Sequence, residues 1–153
     1  MIGLICGWWA YANAFLITKG LAHRALPVIF GLESQDAYLR KNLDFYSMAD
    51  YINTHLSISD KMLSINETRS YYFKVQFVHS SVSVEGTIIH TSSDIDEILN
   101  SLKRNNIHYI FINRNEYFTL HRYPTILWNE EILNKYFNLL YTNGVCYLYK
   151  IRE

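Results

Sequence analysis

Glycine and proline are scarce in this chain, 6 and 2 among 153 residues. The six glycines are scattered and form neither GxGxxG nor a P-loop pattern, which excludes the backbone loops that cradle phosphates. Cysteine is as rare: Cys6 and Cys146 stand at opposite ends of the sequence, so neither a disulfide framework nor a thiolate metal site is expected. The six histidines, His23, His55, His79, His90, His108 and His121, show no HxxxH or HExxH spacing. Each reads as a surface or boundary residue, and no metal or other cofactor is expected in this chain. Surplus charge of either sign is missing too, since Lys+Arg and Asp+Glu both number 14. Nucleic-acid binding draws on counterion release by a basic surface, and pairs such as Arg40-Lys41 and Lys103-Arg104 are too small to supply one. Ser80-Ser81 and Ser92-Ser93 lack the context of a nucleophile elbow, which leaves them loop and capping roles. The chain carries no complete set of catalytic groups, and no Gly/Ser linker, internal repeat or low-complexity tract.

Apolar and aromatic material is plentiful. Hydrophobic residues make up 50% and aromatics 16%, with 13 Tyr and 8 Phe, ample for a core and incompatible with global disorder. Amphipathic tyrosines suit a domain lying against a half-wet surface; codon usage in an A+T-rich genome accounts for them equally well. Met1 to Ile17 (MIGLICGWWAYANAFLI) carries no charge and a single strongly polar side chain, Asn13. A signal peptide would need a basic start and a small-residue cleavage motif. A buried core helix would ordinarily show a polar stripe. About 20 apolar residues span a bilayer's hydrocarbon, and a transmembrane helix, short at its start, fits best. Lys19 and Arg24 then extend toward headgroups, and Pro27 and Gly31 are expected to end the helix. The chain thus divides into an apolar helix with its membrane exit, residues 1–30, and a soluble domain, residues 31–153. By the positive-inside rule, Lys19 and Arg24 vote for a cytoplasmic position of that soluble domain.

Downstream of Tyr38 helical and strand periods alternate. Phe45, Met48, Ile52 and Leu56 recur at three- and four-residue steps and predict an amphipathic helix ending near Ser57. Lys61–Ile65 reads as a strand and Val75–Val78 as a second within an aromatic and β-branched stretch. Ser93, with Asp96 three residues on, is placed to cap a helix whose apolar face is Ile95, Ile98, Leu99 and Leu102. The near-continuous apolar run Ile107–Ile112 predicts a strand covered on both faces, as in a parallel sheet. A helix from about Trp128 to Phe137 comes next, with Ile132, Leu133, Tyr136 and Phe137 inward. A hairpin then turns at Asn143-Gly144, a pair that favours tight primed turns. The fold class is α/β: an apolar helix, then a small α/β sandwich with a mostly parallel sheet whose last strands are antiparallel, in a C-terminal β-hairpin.

The acidic residues Asp94, Asp96, Glu97, Glu130 and Glu131 open predicted helices, where they complement the macrodipole. Glu33 and Asp36 come after Gly31 at the expected membrane exit. A solvated turn explains them, as does proximity to a phosphate- or sugar-bearing headgroup. Asn66-Glu67-Thr68 matches the N-glycosylation sequon, which matters only in a lumenal setting.

The run Leu26 to Leu39 (LPVIFGLESQDAYL) resembles the junction after the last transmembrane helix in bacterial and archaeal GT-C membrane glycosyltransferases of the dolichyl-phosphate-mannose–protein mannosyltransferase type. Those proteins often read Gly-x-x-Ser-Arg-(acidic)-x-Tyr-Leu there. Phe45 to Asn53 is similar to the family's amphipathic helix after a tyrosine, and Glu67-Thr68-Arg69-Ser70-Tyr71-Tyr72 resembles its Glu-x-Arg-x-Tyr-Tyr. Ile107 to Arg114 resembles its late strand ending in Asn-Arg, and Asn143-Gly144-Val145 with Leu148-Tyr149 its closing hairpin. Gln35 stands where an arginine is common and Asn106 where a glycine is, so any anion-binding role of that arginine does not carry over. The resemblance implies the C-terminal, non-catalytic part of a polytopic enzyme that uses a polyprenyl-phosphate sugar. In such enzymes the catalytic acidic residues lie in the first extracytoplasmic loop, far upstream. Partners are then the membrane and the upstream transmembrane helices, the soluble domain is extracytoplasmic, and Glu33, Asp36 and Arg40 are the substrate-proximal candidates. The competing expectations are a single-span, membrane-anchored interaction domain without enzymatic activity, and a soluble small-ligand- or nucleotide-binding α/β protein whose apolar start is core.

Overall fold

The computed structural model describes residues 22–115 and 125–152. The apolar run Met1–Ile17, with its reading as a membrane span, lies outside them. No helix among the described residues is long and apolar enough to cross a membrane. The chain divides into two compact units, residues 1–43 and 44–153.

In the first unit, helix α1 (Ala22–Ile29) and helix α2 (Gln35–Asn42) are joined by a short turn. Pro27 lies inside α1 rather than ending it. The stop comes at Gly31, whose φ of +68° is cheap only for a residue without a Cβ. There Leu32 N–H donates to the Pro27 carbonyl (2.8 Å) and Gly31 N–H to that of Val28 (3.1 Å), the paired bonds of a Schellman cap. Ser34 Oγ caps α2 by accepting from Ala37 N–H at 3.1 Å. Asp36 in the first turn and Arg40 and Lys41 in the last complement the helix dipole.

The second unit is a five-stranded sheet, β1 (Lys61–Ile65), β2 (Gln76–His79), β3 (Ile107–Asn113), β4 (Phe137–Thr142) and β5 (Cys146–Ile151), in the order β2-β1-β3-β5-β4. β1 runs parallel to both β2 and β3, while β5 is antiparallel to β3 and β4. The sheet is therefore mixed: the parallel expectation holds for β2-β1-β3, and the expected antiparallel last strands make up the rest. The physical reason is local: the hairpin reverses the chain within three residues, and β5, not β4, is the strand that pairs with β3. Within that hairpin Gly144 alone takes a positive φ (+90°). The loop spans residues 143–145, and the Asn143 Oδ1 accepts within it from the N–H groups of Val145 and Cys146.

Helix α3 (Tyr46–His55) contributes Met48, Ala49 and Ile52 to one side of the sheet, where Phe45, Phe73 and Phe111 form a chain of ring contacts (Phe45–Phe73 6.0 Å, Phe73–Phe111 5.6 Å). The opposite face carries Leu63, Ile65, Ile110 and Ile112. They pack with Ile89 from α4 (Val84–Thr91), Ile98 and Leu102 from α5 (Ile95–Arg104), and Leu133 from α6 (Glu130–Tyr136). Each such fully buried side chain stabilises the fold by roughly 1.5–3 kcal/mol. Burial on both faces explains why the centre of β3 is continuously apolar.

Three local expectations need correction. Asp94, not Ser93, caps α5: its carboxylate accepts from Asp96 N–H at 2.9 Å, and a charged acceptor one residue later displaces the serine. The segment Ile126–Trp128 is a 3₁₀ turn, and α6 starts after Asn129, whose side chain accepts from Glu131 N–H. Phe137 is buried, but as the first residue of β4. Helix α4 has no counterpart in the sequence reading, because Val84, Thr87, Ile88 and Ile89 are β-branched and Gly86 interrupts them. Gly86 is required: a Cβ there would lie 2.5 Å from the His79 carbonyl oxygen and 2.7 Å from Ser80 Cα.

Candidate functional site

Open α/β sheets bind ligands at the carboxyl ends of their parallel strands, and here the buried polar residues Ser64, Glu67 and Asn113 gather at that end of β1 and β3. Where β1 stops, Asn66 adopts a left-handed conformation (φ +62°), tolerated by a short polar side chain. The next residue, Glu67, is 3% exposed. Its main-chain carbonyl accepts from Ser64 Oγ at 2.8 Å. Its Oε1 accepts from the Thr68 and Arg69 N–H groups (3.0 and 2.9 Å) and from Arg69 Nε (2.7 Å). Its Oε2 accepts from Arg69 Nη2 (2.6 Å) and from Asn113 Nδ2 (3.1 Å) at the end of β3. The fork-on-fork pairing is the strongest geometry an arginine offers a carboxylate.

The network continues outward. The Arg69 guanidinium lies over the Phe45 ring, 4.0 Å from its centroid, with Asp44 Oδ1 3.6 Å away. Asn113 Oδ1 accepts from Asn115 N–H at 3.0 Å, and Asn115 Nδ2 donates to Asp44 Oδ2. From the hairpin, Asn143 Nδ2 donates to the Asp44 carbonyl (2.7 Å) and to Ser47 Oγ (3.0 Å), while its Oδ1 accepts from the N–H groups of Val145 and Cys146. One set of side chains thereby ties β1, β3, the β4–β5 turn and the start of α3 together.

Electrostatics describe a fixed ion pair rather than a poised acid or base. Burial raises the proton affinity of Glu67, but hydrogen bonds from the Arg69 side chain and backbone and the Arg69 charge outweigh it. The carboxyl is held below its ordinary value of 4.5. Arg69 is pushed up, mainly by its hydrogen bond with Glu67. Burial, then the nearby Asp44 and Glu67 charges, pushes the Cys146 thiol far up, so it is no nucleophile. A carboxylate with both oxygens engaged and a depressed pKa is a poor general base at neutral pH. Among the described residues no group of three or more His, Cys, Asp or Glu could hold a metal ion. Surface depressions lie elsewhere, among them one of 670 Å³ beside Asp94, Glu97 and Lys103 at α5 and one of 330 Å³ beside Ser92 and Thr125.

Of the residues singled out in sequence, Asp36 and Arg40 are brought together as an exposed i,i+4 ion pair on α2, Oδ2 to Nε 2.8 Å. Glu33 lies half-buried in the turn before that helix. His55, His79, His90 and His108 are half-buried or exposed. The Asp44–Glu67–Arg69–Asn113–Asn143 network has no counterpart in the sequence-derived candidates. Its available signal was local: a Glu two residues before an Arg, directly after a buried strand. The distant asparagines could not have been attached to it.

No protein-family profile matches the chain, and no curated protein matches it in sequence. Among solved structures it is similar to the C-terminal globular domain of oligosaccharyltransferase from Archaeoglobus fulgidus, at 11% identity and a TM-score of 0.53, over 72% of this chain and 98% of that one. The likeness is one of fold alone, a small α/β domain.

Proposed function

We propose that this chain is the C-terminal, non-catalytic region of a polytopic membrane glycosyltransferase that takes sugar from a polyprenyl-phosphate donor. The observation that carries the reading is the fold, which over 72% of this chain is similar to nearly the whole of the C-terminal globular domain of an oligosaccharyltransferase. Support comes from the order of the chain, an uncharged apolar run leading to a folded α/β unit. Ile29, Phe30 and Leu32, 70–82% exposed at the end of α1, form an apolar step of the sort that interfaces cover. The internal saturation of Glu67 fits a scaffold better than a catalyst. In this reading the domain faces away from the cytoplasm and packs against upstream helices. Glu33, Asp36 and Arg40 stand near the headgroup layer, where Arg40 meets the donor phosphate and Asp36 orients it.

The test is radiolabel transfer from a polyprenyl-phosphate sugar, measured in membranes expressing three forms. These are the complete coding frame that contains this chain, the same frame ended before Asp44, and this chain alone. The complete frame transfers label, the shortened frame loses most of it, and the chain alone transfers none. Turnover by the chain alone would remove the non-catalytic reading, and a complete frame inert toward every polyprenyl-phosphate sugar would remove the enzyme. Converting Arg40 to Gln in the active frame raises KM for the donor more than it lowers kcat.

A further inference from the structure

The sequon Asn66-Glu67-Thr68 occupies the turn in which the polar network is anchored, and the geometry of that turn bears on its chemistry. Transfer of an N-linked glycan breaks the anomeric C–O bond to a lipid pyrophosphate, which leaves with the electron pair. It forms an anomeric C–N bond to the asparagine Nδ2 and releases one amide proton. The acceptor nitrogen must therefore stand free in space wide enough for a sugar ring. Asn66 Nδ2 is instead enclosed by protein, with no hydrogen-bond partner. Its neighbours hold it there: Ile65 is 1% exposed and Glu67 3%. The Thr68 N–H and the Arg69 N–H and guanidinium all close on the Glu67 carboxylate. Asn66 as a residue is half-buried, and what withholds its amide is the covering of Nδ2. Giving that nitrogen the space of a sugar ring takes an outward turn of the side chain or of the β1 turn, which the Glu67 bonds to Arg69 and Asn113 brace.

We infer that Asn66 is a conformationally gated N-glycosylation site, an acceptor when the β1 turn is open and closed to modification in the folded domain. Glycosylation and folding then exclude one another. A glycan attached before folding keeps Asn66 out of its pocket and blocks the Glu67–Arg69 pairing, and a folded chain presents no acceptor. The inference stands on the second unit's geometry alone and is independent of the glycosyltransferase reading.

The experiment exposes two substrates to a purified oligosaccharyltransferase with a lipid-pyrophosphate-linked oligosaccharide. One is the full chain in its native state and the other a synthetic peptide of residues 60–75. Modification is read from the mass increment at Asn66. The peptide is modified, and the native chain reacts slower by on the order of 100-fold, the protection expected of a turn that opens only with its surrounding core. A Thr68→Ala chain and peptide are both inert, which assigns the signal to this sequon. Chain glycosylated during synthesis is cleaved by protease as readily as urea-unfolded chain. The inference fails if the native chain is modified as fast as the peptide, if the peptide is not modified at all, or if glycosylated chain keeps native protease resistance.

Discussion

Two acid–base pairs, one in each compact unit, have nearly the same contact distance and opposite meanings. Asp36 and Arg40 meet at 2.8 Å on α2 with side chains 57% and 44% exposed; Glu67 and Arg69 meet at 2.6 Å with side chains 1% and 29% exposed. In the first pair water screens the charges and two long side chains lose rotamer freedom to meet, so little stability results. In the second the carboxylate has exchanged water for five protein donors, three of them from one arginine. Burial alone would make such a charge costly, and the closed set of hydrogen bonds offsets that cost. The exposed pair can trade its internal partner for a ligand. The buried pair cannot, since any ligand would have to replace five donors at once. Short distance is therefore no guide to function; how far protein donors already fill the carboxylate is.

Breaking the buried pair has the largest expected effect. Glu67→Ala leaves the Arg69 fork with Asp44 at 3.6 Å and strands two backbone donors and Asn113 Nδ2. The loss of unfolding free energy is about 3 kcal/mol, the low end for a broken buried pair because Arg69 is partly wet. Urea denaturation monitored by circular dichroism measures it, and a loss near zero would make the two pairs equivalent. Acid sharpens the same contrast. The folded-state pKa of Glu67 lies below its ordinary value of 4.5, so the stability it confers is complete above that pH. It is lost as pH falls below 4.5 through the folded-state value, at a slope of up to about 1.4 kcal/mol per pH unit. In Glu67→Gln that contribution to the slope disappears, and an unchanged slope would show that other carboxyls govern the acid limb. The smallest effect belongs to the exposed pair. Arg40→Ala lowers the unfolding free energy by no more than about 0.5 kcal/mol in the same urea titration, and added salt abolishes even that.

Much of the fold was legible because periodicity is a local property. Strand β1 is Lys61–Ile65 as its pattern predicts, and α3 and the core of β3 track their apolar spacing closely. The failures are equally physical. Helix α4 escaped because β-branched residues and Gly86 disfavour helix intrinsically, while the strand before it leaves room at Gly86 for hydrogen alone. The α5 cap slipped by one residue because serine and aspartate compete for the same amides, and the contest turns on backbone angles no pattern carries. Of the polar network, only Glu67 and Arg69 are close enough in sequence to be paired by reading. Asn113 lies 46 residues from Glu67, and Asn143 lies 99 from Asp44.

Local patterning along the chain set most strands and helices, which of their faces are apolar, and that one turn after β1 holds both a carboxylate and a guanidinium. Those properties depend on neighbours within a few residues, where chain geometry leaves few alternatives. Strand order and packing settled that β5, not β4, is the neighbour of β3, and that Glu67 is sealed rather than available. They also settled that the Asn66 amide is enclosed. Each of these depends on strand order and on which distant asparagine reaches which carboxylate. Such choices are fixed by packing the whole core at once, and no short stretch of chain contains them.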